Sequence, residues 1–373
     1  MTQLKKILIN ATNLNEGGGV QVATSFLKDL VSMELDKNVQ FSAYVSVAVD
    51  RNLDPIFFDK NFFIDYRIVK PKEISFLNSY KLNEYDVVFT VFGPIFLPFY
   101  RKKHISGFAQ PWVIYPVGDV LRKFTFLKRL INLFRYFLAS CVFRQADVLV
   151  VESYYIKHLL IQKGYSNTIE VVENAVSSIF FKEDQWQVIC SDVFNQRKIN
   201  IGVLSGSYLH KNLDFIIDLA AELEVQYPET FNFIFTLDSE KFNELSNKNK
   251  LMSVVNLGVI TLQECPSFYH QIDGVILPSL LECFSITPYE AMLMKKVIFL
   301  SDRDFFTRSC YGHAIYFDPL SVDNAVKALS KWYIDKSDYN NIYHIDAAHR
   351  FIVNGNRSID KAKSYIKLLL DLS

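Results

Sequence analysis

Two glutamates, Glu282 and Glu290, lie eight positions apart across a strand-to-helix junction. An apolar run, Gly274-Val275-Ile276-Leu277-Pro278-Ser279, precedes them, and an apolar helical pattern follows. The first carboxylate therefore falls in a loop, where it can grip hydroxyl groups. The second falls about one turn inside the helix. Between them, Phe284, Ser285, Ile286 and Thr287 supply the free backbone N–H groups of a helix start, a ready site for an anion. A carboxylate for a sugar, N–H groups for a phosphate and a carboxylate for a ribose diol together describe a pocket for a nucleotide sugar. Thr287 suits two tasks, capping the helix and touching a phosphate.

A cation belongs in such a pocket. Lys211 opens a helix after the strand and glycine loop Ile201-Gly202-Val203-Leu204-Ser205-Gly206. There it can neutralise a diphosphate leaving group, the charge stabilisation that matters most in such a transfer. Asp302-Arg303-Asp304 follows a later apolar run and reads as a loop. No set of side chains has the spacing of metal ligands, so neither metal nor cofactor is expected. The five cysteines, Cys141, Cys190, Cys265, Cys283 and Cys310, form no C-x-x-C pair and read as reduced thiols of a cytosolic protein.

A different chemistry marks residues 120–144. Arg122, Lys123, Lys128, Arg129, Arg135 and Arg144 punctuate Phe and Leu residues without one acid. Basic and apolar residues at helical length suit docking on an anionic membrane surface. Arg101-Lys102-Lys103 can extend that patch. The alternative is a core helix whose basic side chains snorkel to water.

Strand-like runs alternate with helical patterns along all 373 residues. Runs fall at 6–10, 41–47, 66–69, 87–91 and 148–151, then at 199–204, 233–237, 254–257, 275–277 and 297–300. Continuous apolar strands between helices mean parallel sheets covered on both faces. Each half begins with a strand and a glycine turn, the first being Gly17-Gly18-Gly19. This alternation predicts two Rossmann-like α/β domains facing a cleft, residues 1–178 and 179–357. A last helix from about Ser358 has no strand after it. Met1–Lys6 runs straight into a strand pattern, so no signal peptide is expected. No apolar run reaches the ~18–20 residues that span a bilayer. The zero formal net charge gives no global field for nucleic acid.

Glu282 and Glu290 resemble the E-x7-E motif of retaining GT-B glycosyltransferases, the "group 1" family. Ile201–Gly206 with His210-Lys211-Asn212-Leu213-Asp214 resembles that family's strand, glycine loop and helix start. Asn256-Leu257-Gly258-Val259 resembles its base-binding turn. Ala146–Ser153 and Ile169–Ala175 resemble the end of its first domain. About 230 residues, from roughly 145 onward, follow the pattern in order.

The resemblance implies that Glu282 contacts the donor sugar and Glu290 the ribose. It implies that Gly206, Gly258, Val259 and residues 284–287 line the donor, and that Gly18 and Gly19 face its phosphates. The family's Gly-Arg pair before the lysine is here Ser205-Gly206, leaving Arg303 or Arg308 as possible substitutes. A family histidine near the reacting sugar is also missing; Gln110 stands in the comparable stretch, with Trp112 as a stacking surface. His104 reads as a loop or strand-edge residue. In the GT-B fold the final helix, 358–373, crosses back to the N-terminal domain.

The implied activity is a retaining glycosyltransferase, of hexosyltransferase type. The acceptor domain comes first and the sugar-nucleotide domain second. The acceptor would be a glycan or polyprenyl-linked chain, in bacterial surface-polysaccharide synthesis such as O-antigen, capsule or lipopolysaccharide. The expected place is the cytoplasm, with peripheral contact at the inner face of the membrane. Rival readings are a GT-B epimerase or inverting transferase, and a non-catalytic sugar-nucleotide-binding or scaffold protein.

Overall fold

The computed structural model describes residues 4–36, 38–53, 55, 56, 58–247, 251–335, 339–355 and 357–371. The chain forms two compact units. The first comprises Met1–Pro116, Leu121–Ser178 and Asn356–Ser373; the second comprises Val117–Val120 and Ile179–Gly355.

The first unit is built on a seven-stranded sheet, ordered β3-β2-β1-β4-β5-β6-β7. Its strands are β1 (Lys5–Ala11), β2 (Val39–Val45), β3 (Asp65–Ile68), β4 (Val87–Thr90), β5 (Lys103–Gly107), β6 (Val148–Val151) and β7 (Thr168–Val171). All pairings are parallel. Ile7, Leu8 and Ile9 are fully buried, so both faces of β1 are covered, as an all-parallel sheet requires. On one face the helices Gly18–Val31 and Ser358–Asp371 pack together. There Phe26, Phe89 and Tyr365 meet edge-on or tilted, with ring centres 5.0–5.8 Å apart.

A buried charge cluster joins the last helix to this unit. Lys361 donates to Glu152 at 2.9 Å and to Asn174 at 2.7 Å, and all three side chains are buried. Glu152 ends the β6 segment and Asn174 follows β7, so the helix is joined to two strands' carboxyl ends.

The second unit holds a six-stranded parallel sheet, ordered β10-β9-β8-β11-β12-β13. Its strands are β8 (Ile199–Val203), β9 (Phe231–Phe235), β10 (Val254–Asn256), β11 (Gly274–Leu277), β12 (Val297–Ser301) and β13 (Ile315–Phe317). Helices Asp214–Gln226 and Val322–Asp335 pack together over one face. Their buried Ile216, Leu219, Ala325 and Leu329 join Ile201, Phe233 and Phe299 in one core.

Three strands, β5, β7 and β13, were not visible in the apolar pattern. β5 lies inside the sheet yet reads Lys-His-Ile-Ser-Gly. Its buried histidine is satisfied by a partner from another strand. His104 is buried within the strand, not at an edge, and its Nε2 lies 3.1 Å from Thr90 Oγ1. Burial pushes this imidazole down to about 4. β7 and β13 are short edge strands, where burial on both faces is not demanded. The glycine turn also needs correction. Only Gly17, with φ 71°, lies outside the helix; Gly18 and Gly19 are its first two residues.

Removing Lys361 strands a buried carboxylate, which typically costs about 3–5 kcal/mol. Lys361→Ala is therefore expected to lose that much unfolding free energy in urea titration. A loss below about 1 kcal/mol would show that the cluster does not hold the helix.

Candidate functional site

In the second sheet the strand order reverses between β8 and β11. Loops that leave the carboxyl ends of these neighbours diverge, and in open parallel sheets ligands bind at such a switch point. The two strands are in register through Gly274↔Ile201 and Val275↔Gly202. A Cβ on Gly202 would lie 2.7 Å from Phe268 and from Ile272, so the missing side chain lets the helix Cys265–Gln271 settle against β8. The two loops are stitched by one backbone bond, from Leu280 N–H to the His210 carbonyl at 2.7 Å.

Lys211 does not open the long helix, as the sequence pattern suggested; that helix starts at Asp214. Lys211 ends a single 3-10 turn, Leu209–Lys211, which stops at Asn212. Asn212 is left-handed, with φ 58°, and its side-chain amide donates to the Pro319 carbonyl at 2.9 Å. Asparagine tolerates this conformation better than most residues. The turn aims Lys211 at the neighbouring loop, where its Nζ meets Glu282 Oε1 at 2.5 Å. Both side chains are largely withdrawn from water, 17% and 7% exposed. Glu282 is thus a buried loop carboxylate, not a solvated one. Beside the pair, His210 stacks on Tyr208 with ring centres 5.5 Å apart. Burial pushes the His210 imidazole down to about 4, against the upward pull of Glu282.

Glu290 lies in the helix Thr287–Leu293. It is buried, not on the helix surface, and accepts a hydrogen bond from the Tyr269 hydroxyl at 2.9 Å. Burial raises its carboxyl to about 7, although the Tyr269 bond pulls the other way. The Thr287 side chain does not cap this helix: Ile286 occupies the cap and Thr287 the first helical position, followed by Pro288. The Thr287 carbonyl instead accepts from Tyr269 at 3.2 Å. Among the described residues, the backbone N–H groups of Phe284, Ser285 and Ile286 have no hydrogen-bond partner. Phe284 packs edge-on against Tyr289, whose hydroxyl donates to the Ser309 carbonyl at 3.1 Å.

Gly206 follows β8, and a Cβ there would meet the Tyr208 ring at 3.0 Å. Gly258 and Val259 follow β10. Gly258 has φ 93°, a conformation that favours glycine, and Val259 is exposed. The loops carrying Gly206, Lys211, Gly258, Val259 and residues 282–287 all leave carboxyl ends of the same parallel sheet. Arg303 and Arg308, the candidate second cations, already have acidic partners. Arg303 lies 3.3 Å from Asp119, and Arg308 lies 3.5 Å from Asp304. Sequence reasoning missed His210 and Tyr269 as members of the site. His210 could have been suspected from its place beside Lys211; Tyr269 looks like any core aromatic of a short helix.

In the first unit, Gly18 and Gly19 follow β1, and half-buried Gln110 follows β5. Trp112 is not an open stacking surface: Tyr136 lies parallel to it at 4.8 Å and Phe124 tilts against it at 6.4 Å. Tyr136 belongs to the helix Phe126–Phe143, of which only Phe143 is fully buried. Phe126, Leu127, Leu130, Ile131, Phe134, Phe137 and Leu138 are all exposed, at a spacing that forms one stripe. Arg129 has a structural task, donating to the carbonyls of Phe124 at 2.9 Å and Arg122 at 3.2 Å. Lys128 is exposed, and the Arg135 guanidinium lies 5.8 Å from the Tyr136 ring. Among the described residues, no helix is long and apolar enough to cross a membrane.

The raised Glu290 carboxyl makes a prediction with a definite sign. Its value is near 4.5 when unfolded and about 7 when folded. Below pH 4.5 both states hold the proton. Between about 4.5 and 7 only the folded state does, so raising pH through this window costs stability. Glu290→Gln removes that loss. Relative to wild type, it is expected to gain stability from pH 4.5 to 7 and to change no further above, measured by urea unfolding at pH 4.5, 5.5, 7 and 8.

Residues 184–357 match the family model described as "Glycosyl transferases group 1". Among curated proteins, the chain is 28% identical over 152 residues to an uncharacterized 41.2 kDa protein in the cps region of Klebsiella pneumoniae. That alignment covers 40% of this chain and 41% of the relative. An uncharacterized glycosyltransferase of Methanocaldococcus jannaschii is 24% identical over 168 residues, covering 44% and 42%. The match thus spans about two fifths of these relatives' length. Solved structures match far more of the chain at lower identity. Anabaena Alr3699/HepE in complex with UDP and glucose superposes with TM-score 0.71 at 14% identity, over 99% of this chain and 100% of that one. A glycosyltransferase from Rickettsia africae gives TM-score 0.67 at 15% identity, over 100% and 99%. Residues 184–357 thus match the glycosyl transferases group 1 family model, and the chain as a whole shares the GT-B fold of these solved structures.

Proposed function

We propose that the protein is a retaining glycosyltransferase, of hexosyltransferase type, that takes its sugar from a nucleoside-diphosphate donor. The observation that carries this reading is the convergence of Lys211 and Glu282 at the switch point of the family-matched unit. A diphosphate placed there meets the partly buried Lys211 ammonium and the unpartnered N–H groups of residues 284–286. Lys211 offsets the charge that grows on the leaving diphosphate. Glu282 orients the sugar through its hydroxyls, and Glu290 accepts from the ribose. In retention the leaving phosphate itself can take the acceptor's proton, so no protein base is required. Gly206, Gly258 and Val259 frame the nucleotide. The first unit is assigned to the acceptor, with Gly18, Gly19 and Gln110 at its strand ends.

The acceptor is proposed to be a glycan or polyprenyl-linked chain of a bacterial surface polysaccharide, capsule or lipopolysaccharide. The cps-region relative supports that setting. The helix Phe126–Phe143 supports work at the inner face of the cytoplasmic membrane. Its apolar stripe is exposed, which argues against a core helix, and its basic residues fit an anionic bilayer. Arg122, Lys123, Lys128 and Arg135 are the proposed headgroup contacts; Arg129 is already committed to the turn before the helix.

One observation favours a second reading, a non-catalytic binder of nucleotide sugars. The arginines that could replace the family's missing cation are already paired with Asp119 and Asp304. A thermal-shift screen over UDP, GDP, TDP and ADP sugars, followed by assays of donor hydrolysis and transfer, separates the two.

Loss of a charged hydrogen bond to substrate is worth ~1.5–3 kcal/mol. Glu282→Ala and Lys211→Ala are each expected to reduce transfer roughly ten- to hundredfold while circular dichroism stays native. Near-normal turnover in both variants would refute the site. For the membrane, replacing Lys128 and Arg135 with Glu is expected to release the protein from anionic vesicles at moderate salt, each lost charge being worth about 1 kcal/mol. Equal sedimentation of wild type and variant with phosphatidylserine vesicles would count against the docking role.

A further inference from the structure

We infer that Glu282 makes the pocket discriminate between the intact nucleotide sugar and the bare nucleoside diphosphate, favouring release of the latter. The inference rests on the donor role proposed above and adds a specificity to it.

The starting fact is that the two charges assigned to different parts of the donor hold each other. Lys211 Nζ and Glu282 Oε1 are 2.5 Å apart, with little exposure to water. A diphosphate that engages Lys211 therefore arrives beside a buried carboxylate, and like charges in a partly desolvated site repel. The carboxylate tolerates this only if it gains new donors as its ammonium is shared. An intact donor brings them, because the sugar hydroxyls can donate to Glu282. A bare nucleoside diphosphate brings none, and its terminal phosphate carries additional negative charge. The candidate cations among the described residues do not relieve that repulsion. His210 is held neutral by burial, and Arg303 and Arg308 face Asp119 and Asp304.

The same geometry predicts a directional cycle. The pair opens for the complete donor, where each partner finds a replacement. After transfer the sugar is gone, Glu282 loses its hydroxyl donors, and re-forming the pair expels the product. Glu282 then has two separable effects, one on the sugar and one on the diphosphate.

The experiment is calorimetric titration of wild type and Glu282→Gln with UDP and UDP-glucose, and with GDP and GDP-mannose. The amide keeps the shape and removes the charge. In the pair that wild type binds, the substitution is expected to tighten the bare diphosphate about tenfold and not to tighten the nucleotide sugar. An unchanged ratio of the two affinities, or equal weakening of both, overturns the inference. Should Glu282→Gln fail to fold by circular dichroism, Glu282→Asp, which stretches the pair, is titrated in its place and must shift the ratio in the same direction. Binding of none of the four ligands by folded wild type overturns the inference and the donor-site reading together; binding with an unchanged ratio overturns the inference alone.

Discussion

Everything at the candidate site depends on one constraint, the reversal of strand order between β8 and β11. Parallel neighbours need long right-handed crossovers, and those crossovers leave in opposite directions from this pair of strands. The gap so formed is bounded by two loops that no regular structure fills. One backbone bond, Leu280 to His210, and one ion pair, Lys211 with Glu282, close it. The site is therefore built from groups whose hydrogen bonds are not already consumed by helices or strands. That is why an ion pair and N–H groups without partners meet there.

The two glutamates of the motif are chemically unlike. Glu282 is buried against a cation. Glu290 is buried against a phenol, and burial keeps its proton near neutral pH. The difference follows from what each element packs against. The Glu282 loop faces the turn that presents Lys211, whereas the Glu290 helix faces the apolar side of Cys265–Gln271, where a tyrosine hydroxyl is the available donor. A carboxyl group held by one neutral donor needs little reorganisation to take another partner. A carboxylate that must leave an ammonium needs much more, which is why the proposed discriminating role falls to Glu282.

The first unit shows the same economy of partners. Lys361 reaches Glu152 and Asn174 across more than 180 positions of sequence, and the last helix joins the core of the first strand. By contrast, the helix Phe126–Phe143 leaves its apolar stripe without cover. A stripe of that composition is stable in water only at a cost, which a lipid surface would remove.

Composition and periodicity alone determined the α/β class, the parallel sheets and the strand-to-helix junction that carries Glu282 and Glu290. Short apolar runs between helical patterns admit few other arrangements, and a carboxylate's position along the chain is local information. Polar strands were invisible for the opposite reason. β5 is a strand because Thr90 and Asp147 satisfy His104 from elsewhere in the chain, and no local pattern encodes that. The same holds for the site. Spacing placed Lys211 and Glu282 in separate motifs, 71 positions apart, and only the adjacency of β8 and β11 made them a pair. Whether a charged side chain is solvated, paired or neutral depends on what the fold brings within a few ångströms. Tertiary structure alone decided it for Glu282, Glu290, Arg129 and Arg303.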